Sequence, residues 1–269
     1  MSERDGYQHG VPCWVDTIQP DPEAAVAFYS RLFGWEAEDA MPPDSPGSYF
    51  VCRLRGRDVA AIGSGPPDAP PAPAWNTHVW VDDAEAAAAR VAAAGGGGVI
   101  EPFDVFDSGR LGLFSDPSGA AFCVWQPGTH RGAQLVNEAG AWSMSMLHTA
   151  DPEGAKAFYG VVFGWETEAF DTGEGEITLW RVPGYVGGEP EQPVSREVVA
   201  GMLPPGDPEA PPRWSVDFWV EDVDAVAALA ADLGGSVRVA PYDLPGFRQA
   251  VIADPKGAVF SVSRMSPPA

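Results

Sequence analysis

Four polar residues carry most of the chemistry this chain could perform: Asp16, His78, His148 and Asp217. Each lies in a short apolar run that reads as a β-strand: WVDTI, NTHVW, SMLHT and VDFWV. A histidine close to a carboxylate titrates near neutral pH and can give a proton to a bound molecule or take one from it. Four such groups could also hold a divalent ion, provided that they converge on one point. The alternative is that they line a wet cavity and bond to one another. His9 and His130 fall in terminal and linking segments and carry little information. Cys13, Cys52 and Cys123 are odd in number and lack CxxC spacing, so they suggest neither a disulfide framework nor a zinc knuckle. Cys123 would be a reactive thiol only if exposed.

Other chemistries find no support. Gly95 to Gly98 follow an Ala-rich helix instead of opening one, so they read as a helix stop and not a phosphate loop. There is no GxSxG elbow and no Cys–His nucleophile pairing. A net charge of −22 repels nucleic acid and anionic membrane, and it suits either plain solubility or a cationic, amine-bearing ligand. With 45% hydrophobic and 11% aromatic residues, the 269-residue chain can fill two cores. No apolar run approaches membrane-spanning length, and the start MSERDGYQHG lacks a signal pattern, so the expected address is the cytoplasm.

The elements that must position these residues occur twice. DPEAAVAFYSRLFGWEAE (21–38) is answered by DPEGAKAFYGVVFGWETE (151–168), so that Asp21 corresponds to Asp151. WNTHVWVDDAEAAAARVAAAGG (75–96) is answered by 214–235, and LGLFSDPSGAAFCVWQ (111–126) by 248–264. Each half begins with a strand (11–19; 142–150) and a helix opened by Asp-Pro (21–34; 151–164). Short strands follow at 48–55 and 58–63, and at 176–182 and 197–202. A further strand (76–82; 214–221) leads to an Ala-rich helix (83–94; 222–233), and three strands close the half around the Asp-Pro-x-Gly turns at Asp116 and Asp254. Phe28, Phe33, Phe158 and Phe163 recur at helical spacing and should pack each helix onto its sheet, with Gly34 and Gly164 as left-handed caps.

The pattern Asp21…Phe28-Tyr29…Phe33-Gly34-Trp35, with Asp116-Pro117-Ser118-Gly119 and the second copy of both, resembles the vicinal-oxygen-chelate superfamily of glyoxalases, bleomycin-resistance proteins and extradiol dioxygenases. That resemblance implies an α+β fold: four βαβββ modules forming two glyoxalase/bleomycin-resistance-like domains with curved mixed sheets. The expected boundaries are 8–127 and 141–266, joined by a linker at 128–140. Similar double-length proteins accompany aromatic polyketide and anthracycline biosynthesis in actinomycetes. The superfamily includes metal enzymes and metal-free drug-binding proteins alike, so the fold leaves the chemistry open.

The metal positions that the resemblance implies hold no His or carboxylate. They fall at Trp14 and Met144, Asn76 and Ser215, and Cys123 and Ser261, with the remaining strand reading VAAIG (59–63) and VVAGM (198–202). No metal and no cofactor is therefore expected. Residues two further along a strand share its face, which adds Asp16, Met146, His78, Asp217 and His148 to the same concave surfaces, where a metal could sit displaced. The same alternation places Trp14, Trp80, Trp125 and Trp219 there. Four tryptophans on such faces need cover, either from the other half of the chain or from a flat aromatic ligand stacked between rings.

Three readings follow. The first is metal-independent binding or sequestration of a planar aromatic natural product, an antibiotic or polyketide that could bear an amine. The second is an enzyme, either a cofactor-independent isomerase, lyase or hydroxylase using His78 or His148 with Asp16 or Asp217, or a displaced-metal glyoxalase-like enzyme. The third is an interaction protein whose concave sheet takes a peptide or subunit. The chain could be a monomer or a homodimer, because the fused halves already pair.

Overall fold

In the computed structural model, which describes residues 3–65, 73–171, 176–190, 192, 194–206 and 209–266, local chemistry sets the elements. Helix α1 (Pro22–Phe33) starts where the Asp21 carboxylate accepts from the Ala24 amide and Pro22 fills a position that needs no N–H donor. It stops at Gly34, whose φ of 75° lets the chain turn away. Helix α3 (Pro152–Phe163) repeats this with Asp151, Gly154 and Gly164. In α2 (Ala84–Ala93) and α4 (Val223–Asp232), Asp83 and Asp222 cap the first turns.

Two eight-stranded mixed sheets result, each built from two strand–helix–three-strand modules. The first comprises β1 (Pro12–Gln19), β2 (Glu36–Asp39), β3 (Tyr49–Leu54), β4 (Arg57–Ser64), β5 (Ala74–Trp80), β6 (Gly97–Val105), β7 (Gly109–Ser115) and β8 (Ala121–Pro127), ordered β2-β3-β4-β1-β5-β8-β7-β6. The second comprises β9 (Trp142–His148), β10 (Glu166–Asp171), β11 (Glu176–Arg181), β12 (Val198–Leu203), β13 (Arg213–Trp219), β14 (Ser236–Leu244), β15 (Phe247–Ala253) and β16 (Val259–Met265), in the corresponding order. In each sheet the first strand runs parallel to the fourth and antiparallel to the fifth, which runs parallel to the eighth.

The helical phenylalanines correct one expectation. They do not serve only their own sheet. The ring of Phe33 lies 4.9 Å from Phe218 and 6.0 Å from Phe260, both in the other half. Phe158 and Phe163 lie 6.0 and 5.7 Å from Phe122. Helices α1 and α4 share one core between the sheets, and α2 and α3 share the other. The sheets therefore stack through their helix-covered faces, with β5 against β13 at the centre, and Thr77 and Ser145 share a buried hydrogen bond of 2.7 Å across the seam.

The duplicated motifs are the fasteners of this packing. Tyr29 donates to Asp254 Oδ2 at 2.9 Å, and Tyr159 donates to Asp116 Oδ2 at 3.1 Å. The other oxygen of each aspartate accepts three amides of its own Asp-Pro-x-Gly turn. Trp75 and Trp214 donate in turn to the two tyrosine hydroxyls. Trp35 donates to the Gly140 carbonyl at 2.7 Å, and Trp165 to that of Gly10 at 2.6 Å, so each half holds the entry to the other half's first strand.

Replacing Tyr29 by Phe removes a donor from Asp254 and the acceptor of Trp75 while keeping the ring. Stability measured by urea unfolding should fall by about 1–3 kcal/mol, and Tyr159→Phe should match it. A loss below about 0.5 kcal/mol in both variants, the size of an ordinary surface change, would remove the brace from this account.

Candidate ligand-binding cavities

With the helical faces buried against each other, the opposite, concave face of each sheet is left to form a cavity. On β1 the alternation turns Cys13 and Val15 to the core and Trp14, Asp16 and Ile18 to the cavity. Strand β5 runs antiparallel beside it and sets His78 opposite Trp14 and Asn76 opposite Asp16. Tyr49 and Val51 of β3, Trp125 of β8, and Phe103 and Val105 of β6 complete the walls, with Phe106 in the turn that follows. The space enclosed is about 500 Å³, within the range of small-molecule sites.

Its polar floor is a connected set. Asp16 accepts from Asn76 Nδ2 at 2.8 Å and from the Tyr49 hydroxyl at 3.0 Å, while Trp14 Nε1 donates to Tyr49 at 3.1 Å. His78 Nε2 lies 3.1 Å from Asp16 Oδ2, close enough for an ion pair but without the alignment of a hydrogen bond, and Nδ1 finds no hydrogen-bond partner among the described residues. Burial pushes the Asp16 carboxyl upward, yet the adjacent His78 and the Asn76 and Tyr49 donors outweigh it and hold the group below its usual range. His130 closes the wall with its ring edge-on to Trp14 (4.5 Å) and Trp125 (5.7 Å). Burial lowers its pKa to about 4, so the ring is neutral at pH 7.

The second cavity, about 280 Å³, is lined by Met144, Met146, Phe170, Leu179, Trp219 and Phe247, among other mainly apolar groups. Its polar centre is Asp217, which is 3% exposed. Ser261 donates to it at 2.7 Å, Ser143 at 2.7 Å and Gln249 at 3.2 Å, with Ser263 closer still. Burial outweighs these donors, and the carboxyl sits above its ordinary range.

Of the residues singled out in the sequence, Trp14, Asp16, His78 and Trp125 line the first cavity, and Met144, Met146, Asp217 and Trp219 line the second. Asn76 and Ser261 reach the cavities through the carboxylates they bond. Three sets lie elsewhere. Trp80 packs under Tyr7 and Arg131. Cys123 is buried, and that burial holds its thiol protonated. His148 and Ser215 bond to each other at 2.9 Å, at the Arg213 end of β13. His148 pairs in register with Arg213, four residues from Asp217, or about 13 Å along the strand. His148 and Asp217 are therefore not an acid/base pair, whereas His78 and Asp16 are in contact. Sequence reasoning missed several members, among them Tyr49 and His130 in the first cavity and Ser143, Ser263 and Gln249 around Asp217 in the second. Tyr49 carried no motif, and His130 reaches the wall from a segment whose path only the fold supplies.

Comparison with known proteins fits this geometry. Residues 14–124 match the Glyoxalase/Bleomycin resistance protein/Dioxygenase superfamily, and residues 144–263 match a glyoxalase-like domain. "Putative glyoxylase CFP32" of Mycobacterium tuberculosis is 40% identical over 270 residues, covering 99% of each chain. The chain belongs to this superfamily. Anthracycline biosynthesis protein DauV of Streptomyces sp. is 36% identical over 95% of this chain and 94% of its own. Among solved structures, the Mn(II)-bound glyoxalase of Novosphingobium aromaticivorans superposes with a TM-score of 0.62 at 17% identity, over 98% of this chain and 83% of that one. At that identity the likeness concerns the fold alone.

Many superfamily members are metal enzymes, and the donor set here does not fit a divalent ion. Among the described residues no three His, Cys, Asp or Glu side chains group as ligands. The first cavity is lined by Asp16, His78, His130 and Asp104, which do not come together as a ligand group, and Asp16 is already bonded to Asn76 and Tyr49. Among the described residues lining the second, Asp217 is the one side chain of these types, with four donors upon it. A site of this kind needs three or more converging ligands.

Two histidines should mark the acid limb of stability. Burial lowers both His130 and His148 to about 4, against about 6.5 in the unfolded chain. Between those values the unfolded state binds more protons, so stability is complete above pH ~6.5 and falls as pH drops toward ~4. Urea midpoints should decline across that window, and the decline should be shallower in the His130→Gln, His148→Gln double variant. An unchanged slope would show that other groups carry it.

Proposed function

We propose that this chain binds a planar aromatic small molecule in its first cavity, without a metal, and sequesters or carries it in resistance or biosynthesis. The observation that supports this reading most directly is the wall itself: Trp14, Trp125, His130, Phe103 and Phe106 surround a cavity of about 500 Å³. Offset or edge-on ring contacts with a flat ligand add about 0.5–1.5 kcal/mol each beyond area burial. The Asp16, Tyr49 and His78 floor supplies the few convergent polar groups that orient such a ligand through its hydroxyl or carbonyl oxygens. The relatives named for anthracycline biosynthesis, alike over nearly the whole chain, support a polyketide-type ligand. We place the protein in the cytoplasm as a monomer or homodimer. Among the described residues no helix is long and apolar enough to cross a membrane.

Tryptophan fluorescence, titrated with a planar anthraquinone in buffer containing a chelator, tests the reading. The native chain should bind at micromolar concentration, and Trp125→Ala should weaken affinity about tenfold, the size expected when one stacked ring and its buried area are lost. Fluorescence unmoved by a panel of such molecules, or binding that the chelator abolishes, would sink it.

One observation favours a second reading. His78 lies against Asp16 with their side chains only 4% and 7% exposed, and its Nδ1 has no hydrogen-bond partner among the described residues. That nitrogen could exchange a proton with a bound substrate while Asp16 stabilises the imidazolium, the division of labour of a cofactor-independent isomerase or lyase. If so, His78→Ala should abolish turnover of the bound molecule while its dissociation constant changes by less than about threefold. Turnover retained in this variant would leave binding as the function.

A further inference from the structure

The two halves share one scaffold, yet their buried carboxylates are set up differently. Asp16 has a basic partner in His78, 3.1 Å away. Asp217 has none: among the described residues no Lys, Arg or His comes within ion-pair distance of it. Its neighbours are three serine hydroxyls and the Gln249 amide, all donating to the two carboxylate oxygens. Four neutral donors converging on the two oxygens stabilise the ionised form against the cost of its burial.

A buried anion without a countercharge is costly, and the cost falls when a cation arrives beside it. Here the space beside it is a cavity. Ser143, Ser263 and Gln249 line that cavity together with Asp217, and the rest of the wall is largely apolar and aromatic. Each hydroxyl that donates to the carboxylate keeps lone pairs with which to accept from an ammonium. Trp219, Tyr242, Phe170 and Phe247 supply ring faces, which attract cations as well as apolar groups. At about 280 Å³ the cavity suits a one-ring molecule better than a fused polycycle.

We propose that the second cavity is a separate binding site for a small apolar molecule carrying a protonated amine, with Asp217 as the residue that recognises its charge. This goes beyond the reading of the first cavity and does not depend on it. The two sites differ in size and in what surrounds the carboxylate, a histidine beside Asp16 and neutral donors around Asp217.

The test is calorimetric titration of the full chain at neutral pH with 2-phenylethylamine and with 2-phenylethanol, which share a ring and chain length and differ in charge. The amine should bind about tenfold tighter than the alcohol, as expected for a desolvated charge contact. Asp217→Asn should bring the two within about twofold of each other, with circular dichroism confirming that the variant is folded. Met144→Trp, which fills the cavity without touching the carboxylate's charge, should abolish binding of both. Equal binding of the two probes, no binding of the amine, a preference that survives Asp217→Asn, or binding that survives Met144→Trp would each overturn the proposal.

Discussion

The tyrosine–aspartate brace between the halves is the contact on which the other features rest. Tyr29 lies on a helix of the first half and Asp254 on a turn of the second; Tyr159 and Asp116 repeat the relation in reverse. Each tyrosine is fully buried, so an unmade bond would leave a phenol hydrogen without an acceptor in a low-dielectric core and take a donor from a buried carboxylate. Satisfying both braces at once sets the two sheets back to back. The phenylalanines then interleave across the seam, and Trp35 and Trp165 fasten the incoming strands. Neither half encloses its own core, because Phe218 and Phe260 are covered by α1, and Phe122 by α3.

Back-to-back packing determines where a ligand can go. Strand alternation gives every sheet residue one of two faces. Since the helical faces are consumed in the seam, the concave faces turn outward as two separate cavities. The alternative open from the sequence, that the tryptophans cover one another between concave faces, does not occur. Trp14 and Trp125 are covered instead by His130, Tyr49 and the cavity walls, and Trp80 by Tyr7 and Arg131.

Much of this could be read from residue types. The internal repeat located both halves, Asp-Pro and Phe-Gly-Trp marked the ends of α1 and α3, and the alternation assigned Asp16, His78 and Asp217 to the cavity side. What stayed hidden depends on coverage, not on periodicity. Alternation puts His148 on the same face as Met144 and Met146, but it lies at the strand's far end, where its ring bonds Ser215 instead of entering the cavity. His130 follows a Pro-Gly turn in a segment without periodicity, and it is held at the wall by its amide on the Ser108 carbonyl, by Trp125 donating to its carbonyl, and by Ala133 and Gln134 bonding back to Cys13 and Asp58. The role of the recurring Tyr29 and Tyr159 was hidden for a similar reason. A tyrosine in an apolar helical stripe looks like packing until its partner, which for Tyr29 is Asp254 near the other end of the chain, is folded beside it.

The division between seam and cavity also explains how one repeated sequence came to present two unlike sites. A change at Tyr29, Asp116, Tyr159 or Asp254 leaves a buried polar group unsatisfied, so these positions are tied to each other in both copies. Cavity positions are tied within their own half, as Asp16 is to Asn76 and Tyr49 and Asp217 to its serines and Gln249, so one half can change its set without the other. At corresponding points the first half has Asp16, His78 and Trp125, while the second has Met146, Asp217 and Ser263. The acid thus moves from the first strand of its half to the fifth, and the base disappears. A carboxylate paired with a histidine can shuttle a proton or orient a neutral ligand; one surrounded by neutral donors alone is left to attract a cation. The scaffold permits either, and the strand that carries the acid decides between them.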